Sequence, residues 1–348
     1  MNAQSDLSAI LGNQLSQFEL SGLDMPAAPS FAELVGAAVS GEIDFSLSGI
    51  AEAGFKIFFN ELLLNNQLMR QLLIIAVFSA LLKCLSDSFK YKSAGELGFY
   101  VSYIMMTLLA MSSFHLAAGI LSGAAARLSG MMEASVPLVI SLLALSGNVS
   151  AAVFHPTLFL GINLLGRFIS VIFIPLVTAA AALTALNHLM EKPPPLTRLA
   201  LLLKKGAGWM LNGIVALFAL LLTLQKISVP IVNNFALRTA RAAANAVPVV
   251  GGALNSAMDT VLYVGAAAKS GVMVALVVVI VLAAAAPVLK MLAVMLVFKL
   301  AAAVTQPVCD ERFVLCVDEI GSFMGQLAGA GALIAVMFVS AAGILLLF

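Results

Sequence analysis

Long apolar runs separated by short polar stretches dominate the pattern of this chain. The first strong run is 68–86, LMRQLLIIAVFSALLKCLS, with Lys83 near its end. A short basic loop, Lys90-Tyr91-Lys92, separates it from a second run over 97–121. Residues 135–152 are apolar but short and interrupted by Ser146-Gly147-Asn148, so they either span or enter and return. The stretch 157–190 is too long for one untilted span and holds Arg167 and Pro175. Further runs cover 209–229, opened by Trp209 as an interfacial anchor, then 271–305 and 326–347. A hydrocarbon core of about 30 Å needs about 20 apolar residues as helix, and several windows meet that with one charge or none. The pattern predicts an all-α, polytopic transmembrane helical bundle of about six to eight passes, some broken or re-entrant. The run 271–305, broken by Pro287, would be about 50 Å long if straight. It must kink, tilt or split into two passes.

Residues 1–66 read differently, as an extramembrane region ahead of a transmembrane domain over 67–348. Short amphipathic stretches (Leu7, Ile10, Leu11; then Phe31, Leu34, Val35) lie between turn signals such as MPAAPS. They predict short helices or a loosely ordered tail. The apolar run from Phe55 to Leu64 suits the membrane interface. Within the membrane domain, 230–269 stands apart. A basic stretch with Arg238 and Arg241 leads to PVVGG, and a second helical stretch carries Asp259. Pro248 with Gly251 and Gly252 predicts a hinge between two helices.

Composition agrees: 62% of positions are apolar and 10% charged, against roughly 25% charged in an ordinary soluble domain. Charge is unevenly distributed. Residues 1–69 hold eight acids and one base, Lys56, whereas the remainder holds 17 bases and nine acids. Nothing in this balance suits nucleic acid, which calls for clustered Lys and Arg. Sidedness depends on how 135–152 is counted. If every run spans once from an outside N-terminus, the basic loop 191–208 falls outside, against the positive-inside rule. A re-entrant 135–152 returns that loop to the cytoplasm, and this is the favoured topology. The chain opens MNAQSDLSAI, with neither basic n-region nor apolar h-region. The expectation is that its first membrane helix acts as the insertion signal, or that the chain is a mature or trimmed form.

Charges inside apolar runs are the candidates for chemistry, because each is costly in lipid. Arg167, between GINLLG and FISVIF, is a cavity-facing base or a structural Arg that pairs or snorkels. Asp259 is a relay acid or an ion-pair partner. Lys83, Lys290 and Lys299 read as snorkelling or helix-end lysines, and His115 as a packing residue. Cys84 reads as a small core residue, and Cys309 with Cys316 as paired or free. No HExxH, P-loop or GxSxG appears, so the expectation is a non-enzyme without cofactor or metal. Gly119 with Gly123 and Gly325 with Gly329 fit close helix packing inside or between protomers, which leaves a homo-oligomer open.

Three stretches carry a resemblance: FKYKSAGELGFYVSYI (89–104), VPLVISLLALSGNVSAAVFHP (136–156) and VPVVGGALNSAMDTV (247–261). In order and spacing they resemble the stage III sporulation protein AE family of endospore-forming bacteria, over about residues 60–348. The resemblance implies a multi-pass protein of the mother-cell membrane around the forespore, encoded with other stage III proteins. It implies a part in a channel or secretion-like complex between the two cells, required after engulfment. Its partners would be other stage III membrane proteins, membrane lipid and a separate secretion-type ATPase. No catalytic residue is implied. The rival readings are a stand-alone secondary transporter of a small solute and a non-conducting scaffold. A transporter should carry acids or histidines at mid-membrane, where only Arg167 and Asp259 qualify from the sequence.

Overall fold

The computed structural model describes residues 47–88, 92–145, 149–189, 197–245 and 251–347. Among the described residues every regular element is helical. In chain order these are α1 (Leu47–Leu64), α2 (Asn66–Ser88), α3 (Lys92–Leu145) and α4 (Val149–Phe168). A π-helical turn, Ile169–Phe173, joins α4 to α5 (Ile174–Leu189). Then come α6 (Thr197–Asn245), α7 (Gly251–Thr305) and α8 (Glu311–Leu347).

Among the described residues, five helical segments are long and apolar enough to cross a membrane: 97–137, 158–189, 197–224, 274–305 and 311–343. The bent pair Gly54–Leu64 and Asn66–Leu82 makes a sixth if it counts as one span. The all-α polytopic bundle read from the sequence is therefore the observed architecture, with five or six candidate spans rather than as many as eight. The difference arises at two places. Residues 135–145 are the last turns of α3, with Pro137 inside the helix, and residues 149–152 open α4. The expected separate or re-entrant segment is thus divided between two helices. Likewise 271–305 neither splits nor breaks at Pro287; it lies within one helix, α7. Buried packing around Pro287 and Met291 holds the ladder together past the missing proline N–H.

The stretch 157–190 is one span with a π-turn in it. The Ile174 N–H reaches back five residues to the Ile169 carbonyl. Pro175 follows at once, and the wider turn gives its ring room where a regular ladder would clash. The N-terminal region before residue 47 and the hinge residues 246–250, Pro248 among them, lie outside the described residues. Gly251 and Gly252 are the first residues of α7. Asp259 lies in α7, with its side chain outside the description.

The core is organised around the antiparallel hairpin of α7 and α8. Small residues on α8 face large ones on α7. A Cβ at Gly325 would meet Met295 Sδ at 2.9 Å, and one at Gly331 would meet Met291 Cε at 2.8 Å. In lipid no hydrophobic force draws helices together, so this close backbone approach is what contact energy has to work with. Gly119 and Gly123, by contrast, have nothing within 4 Å of a Cβ and take no part in packing within the chain. α3 packs against α2, α7 and α8; α5 against α6 and α8; α4 against α6; and α1 lies along α7. The boundary drawn at residue 66 therefore falls at the bend between two helices that both pack on α7.

Candidate functional site

The site begins with a helix break. Glu61, Asn65, Asn66, Gln67, Arg70 and Gln71 place six polar side chains within eleven positions of an otherwise apolar run. Asn65 sits between α1 and α2, which bend by 41° there. Its Nδ2 donates to the Glu61 carbonyl at 2.8 Å, and its backbone N–H donates to the same carbonyl at 3.0 Å. Asparagine competes for backbone groups in this way, which is why it favours helix ends over helix interiors.

Opposite the break stands Lys290 of α7. Its Nζ lies 3.7 Å from Glu61 Oε2, with the side chains 38% and 19% exposed respectively. That separation exceeds a hydrogen bond, so the pair is a Coulombic contact only. Glu61 Oε2 is itself buried without a hydrogen-bond partner. Lys290 precedes the end of α7 at Thr305 by 15 residues, which at 1.5 Å per residue is about 22 Å. The pair thus stands well inside the span 274–305. Pro287, one turn earlier, removes the donor that would have bonded the Ala283 carbonyl.

A groove of about 250 Å³ opens beside Lys290; Glu61 does not line it. Asn65, Gln67, Gln71, Ser113 and Lys290 form its polar wall, and Leu68, Leu109, Ala117, Met291 and Val294 lie on its apolar side. Ser113 donates to the Leu109 carbonyl at 3.0 Å, which leaves its oxygen free to accept. Charge, amide groups and space therefore meet at one level of the bundle, between α1–α2, α3 and α7.

A second polar cluster ties the other end of the α7–α8 hairpin. Lys299 Nζ donates to Asp318 Oδ1 at 2.8 Å and to Ser322 Oγ at 2.8 Å. Glu319 lies 3.6 Å from Lys204 and 4.0 Å from His188, and Lys204 sits 5.3 Å from the centre of the Phe323 ring. Asp310 caps α8, its Oδ1 accepting from the Arg312 backbone N–H at 3.0 Å and from Arg312 Nε at 3.2 Å. The Arg312 guanidinium stacks over Phe99 at 4.5 Å. Tyr103 OH donates to the Ala185 carbonyl at 2.7 Å. Cys309 Sγ donates to the Ala76 carbonyl at 3.3 Å. Burial, with Asp310 beside it, raises the Cys309 thiol above its ordinary pKa, so the sulfur stays protonated and a poor nucleophile. Cys309 and Cys316 are not joined, and Cys84 is exposed rather than a core residue. This cluster is a tie between helices; the groove has the space that a ligand needs.

Arg167, the sharpest candidate in the sequence, does not line the groove. It is exposed on the last turn of α4. Leu160, Leu164, Phe168 and Val171 share its outward face. Lys290 and Lys299 each face an acid on another helix. The pairing of Glu61 with Lys290 is not legible locally, because Glu61 belongs by composition to the acidic N-terminal region. One signal was available: Lys290 lies near the middle of its apolar run, too deep to reach either interface easily.

The family model for stage III sporulation protein AE matches residues 29–348, beginning well before the resemblance read from the sequence. A curated relative, the stage III sporulation protein AE of Bacillus subtilis (strain 168), is 30% identical over 302 residues. That alignment covers 86% of this chain and 75% of the relative. No solved structure matches the chain.

Proposed function

We infer, because this chain belongs to the stage III sporulation protein AE family, that it is an integral membrane subunit of the channel or secretion-like complex linking mother cell and forespore. It serves forespore development after engulfment, in the mother-cell membrane that surrounds the forespore. It works without chemistry of its own, beside other stage III sporulation membrane proteins and a separate secretion-type ATPase. The observation that supports a conduit over a scaffold is the Glu61–Lys290 pair at 3.7 Å, set at mid-span with an open groove beside Lys290. Charges at that depth are costly, and such residues commonly mark a pathway through the bundle.

The same bundle supports one sidedness. Six crossings with the bent pair first place 83–96, 190–196 and 306–310 on one side. Lys83, Lys90, Lys92, Lys192, Arg198, Lys204, Lys205 and Arg312 lie in or near those connections. On the other side, the connection between α3 and α4 holds no Lys, Arg, Asp or Glu over 138–157, and residues 225–273 hold four bases (Lys226, Arg238, Arg241, Lys269) against Asp259, fewer than the eight bases on the first side. The positive-inside rule then puts the basic connections in the cytoplasm and the acidic N-terminal region outside. The basic loop thus reaches the cytoplasm without a re-entrant 135–152.

The rival reading, a stand-alone secondary transporter of a small solute, gains from the same pair, since it supplies charges at depth that the sequence did not reveal. Deletion in the spore-forming host decides. The expected result is normal vegetative growth and a block in spore formation after engulfment. A deletion strain that forms spores normally would remove the conduit reading.

A further inference from the structure

The outward face of α3 is polar at the depth of the hydrocarbon. Ser112, His115, Gly119, Ser122 and Ala126 are all exposed. Their alternating spacing of three and four residues sets them on one face of the helix. A Cβ at Gly331 would meet both Leu121 of α3, at 3.2 Å, and Met291 of α7, at 2.8 Å. This part of α3 therefore stands at the level of Lys290, about 22 Å along α7 from Thr305. His115, expected from the sequence to be a packing residue, is exposed six residues earlier, about 9 Å along the helix. Among the described residues Ser112, His115 and Ser122 have no hydrogen-bond partner. The outward face of α4 and its π-turn is different: Leu160, Leu164, Phe168 and Val171 surround the single charge of Arg167.

Lipid is a poor cover for this face. A histidine within a membrane span almost always turns to a bundle interior or a water-filled cavity. Hydrocarbon gives an imidazole or a hydroxyl nothing to bond. A second copy of the chain fits what the face presents. Residues 97–126 hold no Lys, Arg, Asp or Glu, so there is no charge for a different partner to match, and two copies meet without like-charge repulsion. Imidazole and hydroxyl groups each donate and accept, so each pairs with its own counterpart. Copies in one membrane share one orientation. Two α3 helices then meet in parallel about a two-fold axis along the membrane normal, and each residue of the seam faces itself. Gly119 and Gly123 lie at the centre, with nothing within 4 Å of a Cβ at either. Glycines four residues apart let parallel membrane helices close to backbone contact.

We propose that α3 is a self-association helix. Two copies of this chain pack in parallel along Ser112, His115, Gly119, Ser122 and Ala126, closest at Gly119 and Gly123, with His115 bonding across the contact. Leu116, exposed beside the seam, also lines the groove at Lys290, so the pairing sets one groove at each edge of the interface. The contact goes beyond the conduit reading and does not depend on it, because association is measured on the purified chain.

Sedimentation equilibrium of the full chain in mild detergent, with its native cysteines kept, is the first test. A reversible dimer is expected. Gly119→Leu and Gly123→Leu should each raise its dissociation constant at least about tenfold, and His115→Leu about threefold or more. These side chains point away from the bundle, so the variants should keep the helix content and Tm of the parent. Leu164→Ala, on the outward face of α4, should leave the dimer unchanged. A chain that stays monomeric, or a dimer that the three seam variants leave intact, would overturn the proposal. Disulfide trapping in native membranes is the second test. In a background without the three native cysteines, Ser112→Cys and Ser122→Cys should each give a linked dimer on mild oxidation, and Leu164→Cys none. No linked dimer, with both seam cysteines shielded from a lipid-soluble maleimide, would give the face another occupant and overturn the second copy. No linked dimer with both cysteines reactive would leave lipid there and overturn it equally. Should the cysteine-free background fail to fold, the sedimentation result decides alone.

Discussion

Lys299 of α7 and Asp318 of α8 meet at 2.8 Å in the same antiparallel register that sets Gly325 against Met295 and Gly331 against Met291. A charged pair near the turn and small-against-large packing farther along specify one alignment of the hairpin. A slip of one residue would turn both sets out of register together, so the two devices reinforce each other.

The ion pair should matter more for register than for stability. Both partners are more than a third exposed, so solvent screening limits the pair to about 1 kcal/mol or less. Lys299→Ala should lower unfolding stability by no more than that, and the exchanged pair Lys299→Asp with Asp318→Lys should recover most of it. Denaturant titration in detergent, followed by helix content, measures both.

Gly331 tests the small-against-large packing. An added Cβ would meet Met291 Cε at 2.8 Å, Leu121 Cδ1 at 3.2 Å and Val288 Cγ2 at 3.4 Å. The methionine end can move, so Gly331→Ala should cost less than about 1 kcal/mol. Gly331→Leu overpacks the junction of α3, α7 and α8 and should cost about 1–3 kcal/mol. Folded yield and thermal unfolding of the two variants give the ordering; equal effects would show that the helices separate freely there.

Tyr103 is buried, and its hydroxyl bonds the Ala185 carbonyl on α5. Tyr103→Phe keeps the ring and removes the bond. The expected loss is about 1 kcal/mol, in the range of interhelical hydrogen bonds in membrane bundles. The same unfolding titration reads it, and an unchanged midpoint would mean that the carbonyl finds another donor.

Arg167 faces out of the bundle among exposed apolar side chains. Arg167→Leu should therefore leave stability within about 0.5 kcal/mol of the parent. Any sporulation defect it causes should come with loss of co-purifying partners rather than loss of membrane levels. Immunoblots of membranes and of the purified complex separate these outcomes.

Topology is open to direct labelling. Arg198→Cys, in a background without the three native cysteines, should react with an impermeant maleimide only after the membrane is opened. Labelling in intact cells would place this connection outside and reverse the orientation inferred from its basic residues.

Much of the fold was legible in the sequence because lipid enforces one rule. Backbone groups must bond within a segment, so long apolar runs are helices. Runs such as 97–121 and 326–347 lie within α3 and α8. The family, too, was legible from three short stretches. Helix ends were harder to place. Ser146-Gly147-Asn148 lie outside the described residues, and nothing local says that 135–145 belongs to α3.

The sequence by itself determined the membrane character, the helical class, the family and the imbalance of charge along the chain. Tertiary structure alone decided which charges meet: Glu61 with Lys290, Lys299 with Asp318, and Arg167 with no acid among the described residues. The reason is physical. In a soluble helix the buried face is apolar and the other polar, so periodicity reveals what packs inward. In a bilayer both the lipid-facing and the core-facing sides are apolar, and that signal vanishes. Leu164 is exposed and Leu165 is buried on adjacent positions of α4, with nothing in their chemistry to tell them apart. Pairing across more than 200 residues, as between Glu61 and Lys290, depends on which faces turn inward, and only the packed bundle fixes that.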